Sequence, residues 1–113
     1  MLQRLLTEFL SHSGIEQALM IDDRGRLLSS IGWQGTFPAT DRAIAVASAA
    51  LDTTQRLGLG DLHEVWIEGE ETVMLDVVTP YRILFLSGTQ GNVARWRHTT
   101  DQLRKQLATT QEI

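Results

Sequence analysis

Two short stretches of the sequence are apolar at every position, and they restrict the possible folds more than any other feature. They are residues 18–21 (Ala-Leu-Met-Ile) and 83–86 (Ile-Leu-Phe-Leu). Neighbouring side chains of a strand point to opposite faces of the sheet, so a strand that is apolar throughout must be covered on both faces. The two stretches therefore predict central strands with helices on both sides, which is a three-layer sandwich.

Short turns connect these strands to three others. Asp22-Asp23-Arg24-Gly25 predicts a tight hairpin turn with Gly25 at positive φ, and it leads to a strand over 27–31 whose serines favour a sheet edge. The alternating residues 64–68, the segment 72–78 and the run 83–86 predict a three-stranded meander. Strands joined by short turns are antiparallel, so we expect an α+β fold with one five-stranded antiparallel sheet.

Three helices complete the order helix-strand-strand-helix-strand-strand-strand-helix. The second is predicted over 41–57, with Thr40 as its N-cap and Gly58 just beyond its end. The last is predicted from about 91 to 107. The first and the last helix are each expected to bury one side. In the first helix this side consists of Leu2, Leu5, Leu6, Phe9 and Leu10. In the last helix it consists of Val93, Trp96, Thr100, Leu103 and Leu107.

Length and composition restrict the class of protein. The 113 residues are predicted to form a single domain over 1–113, with 109–113 frayed. The net charge of −4 argues against a general nucleic-acid binder, and no apolar run approaches the roughly 20 residues of a membrane helix. The absence of cysteine excludes disulfides and cysteine nucleophiles. We therefore expect a cytoplasmic protein that binds no nucleic acid and does not insert into membranes.

Charge is distributed unevenly along the chain. Residues 1–81 carry five arginines against twelve acidic residues, whereas residues 82–113 carry five basic residues against two acidic ones. Two interpretations are open. In the first, the basic residues form the solvent-exposed face of the last helix and interact favourably with the negative end of its dipole. In the second, they form a basic strip that binds an acidic partner.

No group of residues has the spacing that an active site or a metal site requires. His12, His63 and His98 fall on different predicted elements without metal-ligand spacing. The carboxylate pairs Asp22-Asp23 and Glu70-Glu71 fall in predicted turns, where exposed charge is common. The sequence therefore predicts no catalytic residue, no metal and no cofactor.

The aromatic residues are candidates for contact with a partner. Trp33 and Phe37 lie in the loop 32–39, where they either fold back over the sheet edge or anchor a partner. Trp66 shares a strand face with Glu64 and Glu68, which suggests a face exposed to solvent. A large aromatic side chain exposed alone on such a face would be unusual. Trp96 belongs to the apolar side of the last helix, and we expect it in the core.

The order and spacing of these features resemble the roadblock family, whose members include dynein light chains and bacterial MglB-type regulators of small GTPases. The resemblance extends over 2–107. It is carried by the opening helix with Gly14, the segment 18–25, the alanine-rich helix ending at Leu57-Gly58, and the strands 65–68 and 83–86. It implies the roadblock (profilin-like) fold, an α/β/α sandwich around one five-stranded antiparallel sheet.

The resemblance also implies a homodimer in which the second helix and the third strand of each copy meet their counterparts. The strand 64–68 would otherwise be an open edge, and the small residues around the second helix permit the close approach of a neighbour, although they could also pack only on their own sheet. The interface so predicted consists of Ala43, Ala47, Ala50, Val65, Trp66 and Ile67. The predicted partner surface consists of Trp33, Phe37 and Arg42.

The function implied by the resemblance is that of a non-enzymatic adaptor. It would bind or regulate a Ras-like small GTPase, for example as a GTPase-activating protein, or bind another roadblock-fold protein. Two alternatives are a small-molecule sensor with the Trp33–Phe37 loop as its lid, and a motor or cytoskeletal light chain that acts only as a scaffold.

Overall fold

The computed structural model describes residues 1–11, 14–32, 37–89 and 92–112, and within them the elements follow the predicted order. They are α1 (Leu2–Leu10), β1 (Gln17–Ile21), β2 (Leu27–Gly32), α2 (Thr40–Arg56), β3 (Glu64–Glu68), β4 (Thr72–Thr79), β5 (Arg82–Gly88) and α3 (Val93–Thr109). The ends of these elements differ from the predicted ones by two residues at most.

The strands form one antiparallel sheet in the order β2-β1-β5-β4-β3. β1 and β5 lie side by side in its middle and are buried almost throughout, which confirms the prediction from their apolar runs. β2 forms one margin of the sheet, as predicted from its serines, and β3 forms the other.

Helices cover both faces of the sheet, which confirms the α/β/α sandwich. α1 and α3 lie on one face, and α2 lies on the other. The core of the first face consists of Leu2, Leu6, Phe9, Trp96 and Leu107, packed on Ala18, Met20, Met74, Leu84 and Leu86. The core of the second face consists of Ala43 and Ala47, packed with Leu19, Ile21, Val73, Leu75, Ile83 and Phe85.

The hairpin between β1 and β2 is organised by Asp22. One of its carboxylate oxygens accepts hydrogen bonds from the backbone N–H groups of Arg24 (2.8 Å) and Arg26 (2.9 Å), and the other accepts one from the Arg26 Nε (2.7 Å). Gly25 has a φ of 80°, as predicted, and a bulge follows Met20. Hydrogen bonds from the side chain and then the backbone of Arg26 lower the pKa of Asp22 below its ordinary value of 3.8.

This lowered pKa predicts a pH dependence of stability. The ionised Asp22 stabilises the fold above its unfolded pKa, and the stabilisation is lost as the pH falls through the lower folded value. We expect Asp22→Asn to lower the melting temperature at neutral pH, and the difference from the parent to shrink below about pH 4. Asp23→Asn removes an exposed charge from the same turn and is the matched control. A difference that stays constant down to about pH 2 would contradict this role.

The predicted ends of α2 and α3 need correction. The N-cap of α2 is Ala39 and not Thr40, because the side chain of the buried Gln17 holds the preceding segment: it donates to the carbonyl of Phe37 (2.8 Å) and accepts from the N–H of Ala39 (3.1 Å). α3 begins at Val93, since the side chain of Asn92 caps it. It ends at Thr109.

Two residues of the segment 109–113, for which the sequence predicts fraying, make hydrogen bonds to the rest of the fold. The guanidinium of Arg82 donates to the carbonyl of Thr110 at 2.6 Å, and the N–H of Leu2 donates to the carbonyl of Gln111 at 2.9 Å. These bonds tie the end of the described chain to β5 and α1.

Candidate interaction surface on the second helix and the third strand

An open apolar groove of about 470 Å³ runs between α2 and β3. It is lined by Ala45, Val46, Ala49, Ala50, Thr53, Thr54, Leu62, Glu64, Val65 and Ile67. The groove exists because β3 projects beyond the part of the sheet on which α2 packs, so the side chains on this face of β3 lie beside the helix. Ile67 is 49% exposed as a result. We call this region the α2–β3 surface.

The predicted interface residues of α2 occupy two different environments. Ala43 (0% exposed) and Ala47 (6%) are buried against the sheet of their own chain, and Ala47 also borders a concavity under the C-terminal half of α2. Ala50 is half-buried and lines the groove. Ala45, Ala49 and Thr53 line the groove too, and they were not predicted. Their i, i+4, i+8 spacing was the available signal, but small residues occur all around this helix and hide the stripe.

The outer margin of β3 offers backbone groups for pairing. In the described sheet β3 pairs only with β4, and the carbonyl of His63 accepts a hydrogen bond from the N–H of Val77 at 2.8 Å. Residues of an antiparallel strand alternate between bonding to one side and to the other. Positions 63, 65 and 67 therefore bond toward β4, and the N–H and C=O groups of Glu64, Trp66 and Glu68 point outward.

On the other face of β3, the side chain of Trp66 is held by two neighbours. Its indole N–H donates to one carboxylate oxygen of Glu64 at 3.0 Å, and the guanidinium of Arg97 lies 5.9 Å from the centre of its ring. Arg97 also binds the other oxygen of Glu64 at 3.1 Å. Trp66 remains 40% exposed, so a large aromatic side chain is fixed at the margin of the sheet with part of its surface in water.

The predicted partner surface lies at the start of α2. Phe37 is 88% exposed although Gln17 holds its backbone, so its ring does not fold back over the sheet. The guanidinium of Arg42 binds the carboxylate of Glu71 at 3.1 Å, which joins the first turn of α2 to the β3–β4 turn. Trp33 lies outside the residues that the structure describes.

Basic residues near the end of the chain bind acceptors within the protein. Arg104 donates to both carboxylate oxygens of Asp76 at 2.8 Å, Arg97 binds Glu64, and Arg82 donates to the carbonyl groups of Leu107 and Thr110. Two of the basic residues in 82–113 therefore pair with carboxylates of the sheet, and a third binds carbonyl groups near the end of the chain.

A second concavity of about 460 Å³ lies under the C-terminal half of α2, on the same side of the sheet as the groove. Its apolar lining includes Leu51, Leu62, Val77 and Ile83. Phe37 is not among its lining residues, and the rest of the predicted lid, residues 33–36, lies outside the described residues. Over the described ranges, no three His, Asp or Glu side chains are arranged to hold a metal ion. In the same ranges, no helix is both long and apolar enough to cross a membrane.

The element order and the sheet order are those of the roadblock/LC7 fold, and solved structures with that fold superpose on this chain. The gliding protein MglB from Thermus thermophilus does so with a TM-score of 0.78 at 23% identity, over 95% of this chain and 85% of that one. A Roadblock/LC7 domain from Streptomyces avermitilis gives 0.76 at 17% identity, over 94% and 93% of the two chains. Myxococcus xanthus MglB gives 0.73 at 17% identity, over 95% and 94%.

By sequence, no protein-family model and no curated protein matches the chain. The structural similarity therefore establishes the fold, and it confirms at that level the resemblance that the sequence shows.

Proposed function

We propose that this protein is a cytoplasmic, non-enzymatic roadblock-type adaptor that binds and regulates a Ras-like small GTPase as a homodimer. The observation that carries the proposal is the edge strand β3, whose outer margin has no partner in the described sheet; the apolar groove of the α2–β3 surface lies on one face of this strand and the partly exposed Trp66 on the other. Exposed apolar side chains gathered at one place mark protein interaction sites.

A second copy of the chain satisfies each part of this surface. Pairing of β3 with its counterpart would occupy the outward N–H and C=O groups of both strands. A second α2 would cover the stripe of Ala45 and Ala49, whose small side chains allow two helices to approach closely. One two-fold axis serves both contacts. The fold neighbours include a structure described as MglB with a tetrameric arrangement, and that protein's assembly supports self-association here.

A GTPase would then bind on the face that carries the paired α2 helices. A protein platform can regulate a GTPase by ordering its switch segments, and this needs shape and charge complementarity without a catalytic group of its own. The exposed Phe37 and Arg42 at the start of α2 are the residues that we assign to this contact.

Substitution of Phe37 tests the partner contact. We expect Phe37→Ala to weaken binding of a Ras-like GTPase from the same organism by about tenfold, because an exposed aromatic anchor contributes strongly to an interface. Its melting temperature should be unchanged, since the ring is 88% exposed. Leu59→Ala, which removes another exposed apolar side chain far along the chain from this loop, is the control. Binding is measured by calorimetry with the GTPase loaded with GDP or with a non-hydrolysable GTP analogue.

Three results of this experiment would count against the proposal. Equal affinity of the Phe37→Ala variant and the parent would remove Phe37 from the contact, and a marked loss of thermal stability would give its ring a structural role. Failure of every Ras-like GTPase of the organism to bind in either nucleotide state would exclude a GTPase as the partner. A purely scaffolding light chain would then be favoured.

A further inference from the structure

We propose that the two-fold axis of the dimer passes through Trp66, and that Arg97 sets this register by binding Glu64 of its own chain and Glu68 of the second copy. This inference depends on the homodimer of the proposed function. It specifies the register of that dimer, that is, which residues of the two β3 strands lie opposite each other. It is carried by the hydrogen-bonding pattern of β3 and by the cluster that Trp66 forms with Glu64 and Arg97.

The backbone of β3 restricts the possible registers. The outward N–H and C=O groups belong to positions 64, 66 and 68, so these positions must bond to each other across an antiparallel pair. The axis can then pass through Trp66, or through Val65 or Ile67 on either side of it. Only the first choice pairs the whole of β3 with itself, since the other two leave one end of each strand beyond its partner.

Side chains on the α2 side of β3 favour the same register. With the axis at Trp66, Val65 of each copy lies opposite Ile67 of the other, and the two apolar side chains cover one another. With the axis at Ile67, Val65 lies opposite Gly69, which has no side chain. With the axis at Val65, Ile67 lies opposite the polar His63.

The opposite face of β3 explains the need for Arg97. An axis at Trp66 brings the two tryptophans together, and it also sets Glu64 opposite Glu68 of the second copy, which would repel without a cation. The guanidinium of Arg97 is 3.1 Å from Glu64 and lies over Trp66. The guanidinium therefore lies where the carboxylate of Glu68 of the second copy would approach. By binding both carboxylates, it would bridge Glu64 and Glu68 and offset their repulsion.

Single cysteines test the register directly, because the chain contains none of its own. Opposite residues that do not exchange hydrogen bonds have Cα atoms about 4.5 Å apart, within the range that a disulfide spans, whereas diagonal neighbours are about 7–8 Å apart and beyond it. We expect a mixture of Val65→Cys and Ile67→Cys, one of them tagged, to form a mixed covalent dimer under mild oxidation. Each variant alone should form little.

The other outcomes are each decisive. A covalent dimer of Ile67→Cys alone would move the axis to Ile67, one of Val65→Cys alone would move it to Val65, and either would overturn the inference. A parent protein that sediments as a dimer while no cysteine variant cross-links would show that β3 does not form the interface. A parent protein that sediments as a monomer would refute the homodimer itself, which is a different failure.

Arg97→Gln tests the role of the cation. We expect the dissociation constant of the dimer to rise about tenfold, and its dependence on salt concentration to weaken. Arg95→Gln removes the same charge from an exposed position of α3 and should leave both quantities unchanged. Equal effects of the two substitutions would show that only net charge matters, and Arg97 would then not set the register.

Discussion

A protein carrying Ala49→Glu is expected to sediment as a folded monomer. Ala49 is exposed on α2 and lines the groove beside β3, where the second helix of the dimer would lie. The proposed two-fold axis would introduce the substitution twice, so two carboxylates would be desolvated in one contact. An uncompensated buried charge costs about 3 kcal/mol or more, which weakens association roughly hundredfold or more.

Two further variants separate loss of the dimer from loss of the fold. Ser48→Glu adds the same charge to the same turn of α2 outside the groove, and we expect it to remain dimeric. Ala47→Glu introduces a carboxylate among Leu19, Val73 and Phe85, and it should destabilise the protomer by about 3–5 kcal/mol. Analytical ultracentrifugation and thermal melts distinguish the three cases. An Ala49→Glu protein that is still a dimer would show that this side of α2 is not the interface.

The sequence predicts the fold of this chain well because its periodicities are strong. The apolar runs in β1 and β5 identify the central strands, and the turn at Gly25 identifies an antiparallel hairpin. The stripes of α1 and α3 identify their buried sides, including that of Trp96. Each of these signals is local, so each can be recognised without knowledge of the rest of the structure.

The face of α2 that meets the sheet could not be assigned in the same way. Alanine is small and tolerates both burial and exposure, so a helix with alanine on all sides lacks the contrast between apolar and polar faces from which burial is inferred. Packing decides the matter: Ala43 and Ala47 contact the side chains of β1, β4 and β5, and this leaves Ala45 and Ala49 outside. The cluster of Trp66, Glu64 and Arg97 was equally hidden, because β3 and α3 are far apart in sequence and only the fold brings them together.

The second large effect concerns the ion pair between α3 and β4, which also could not be read from the sequence. Asp76 is 3% exposed, and its two carboxylate oxygens each accept a hydrogen bond of 2.8 Å from Arg104. This contact with Asp76 raises the pKa of the Arg104 guanidinium above its ordinary value. The pair fastens the middle of α3 to the strand beside β3, and therefore also positions Arg97 two turns earlier on the same helix.

Arg104→Met is expected to lower the free energy of unfolding by about 2–3 kcal/mol. It retains the aliphatic stem but leaves a buried carboxylate without its partner, and the figure is smaller than for a fully buried pair because the Arg104 side chain is 39% exposed. Urea denaturation measures the loss.

Asp101→Asn removes only the exposed partner of Arg104 and should change the stability by less than about 0.5 kcal/mol. The double variant Arg104→Met/Asp76→Leu, which removes both charges, should recover much of the loss, because the destabilisation arises from the unpaired carboxylate. A double variant no more stable than Arg104→Met would show that the packing of the arginine stem, and not the ion pair, holds α3 on the sheet.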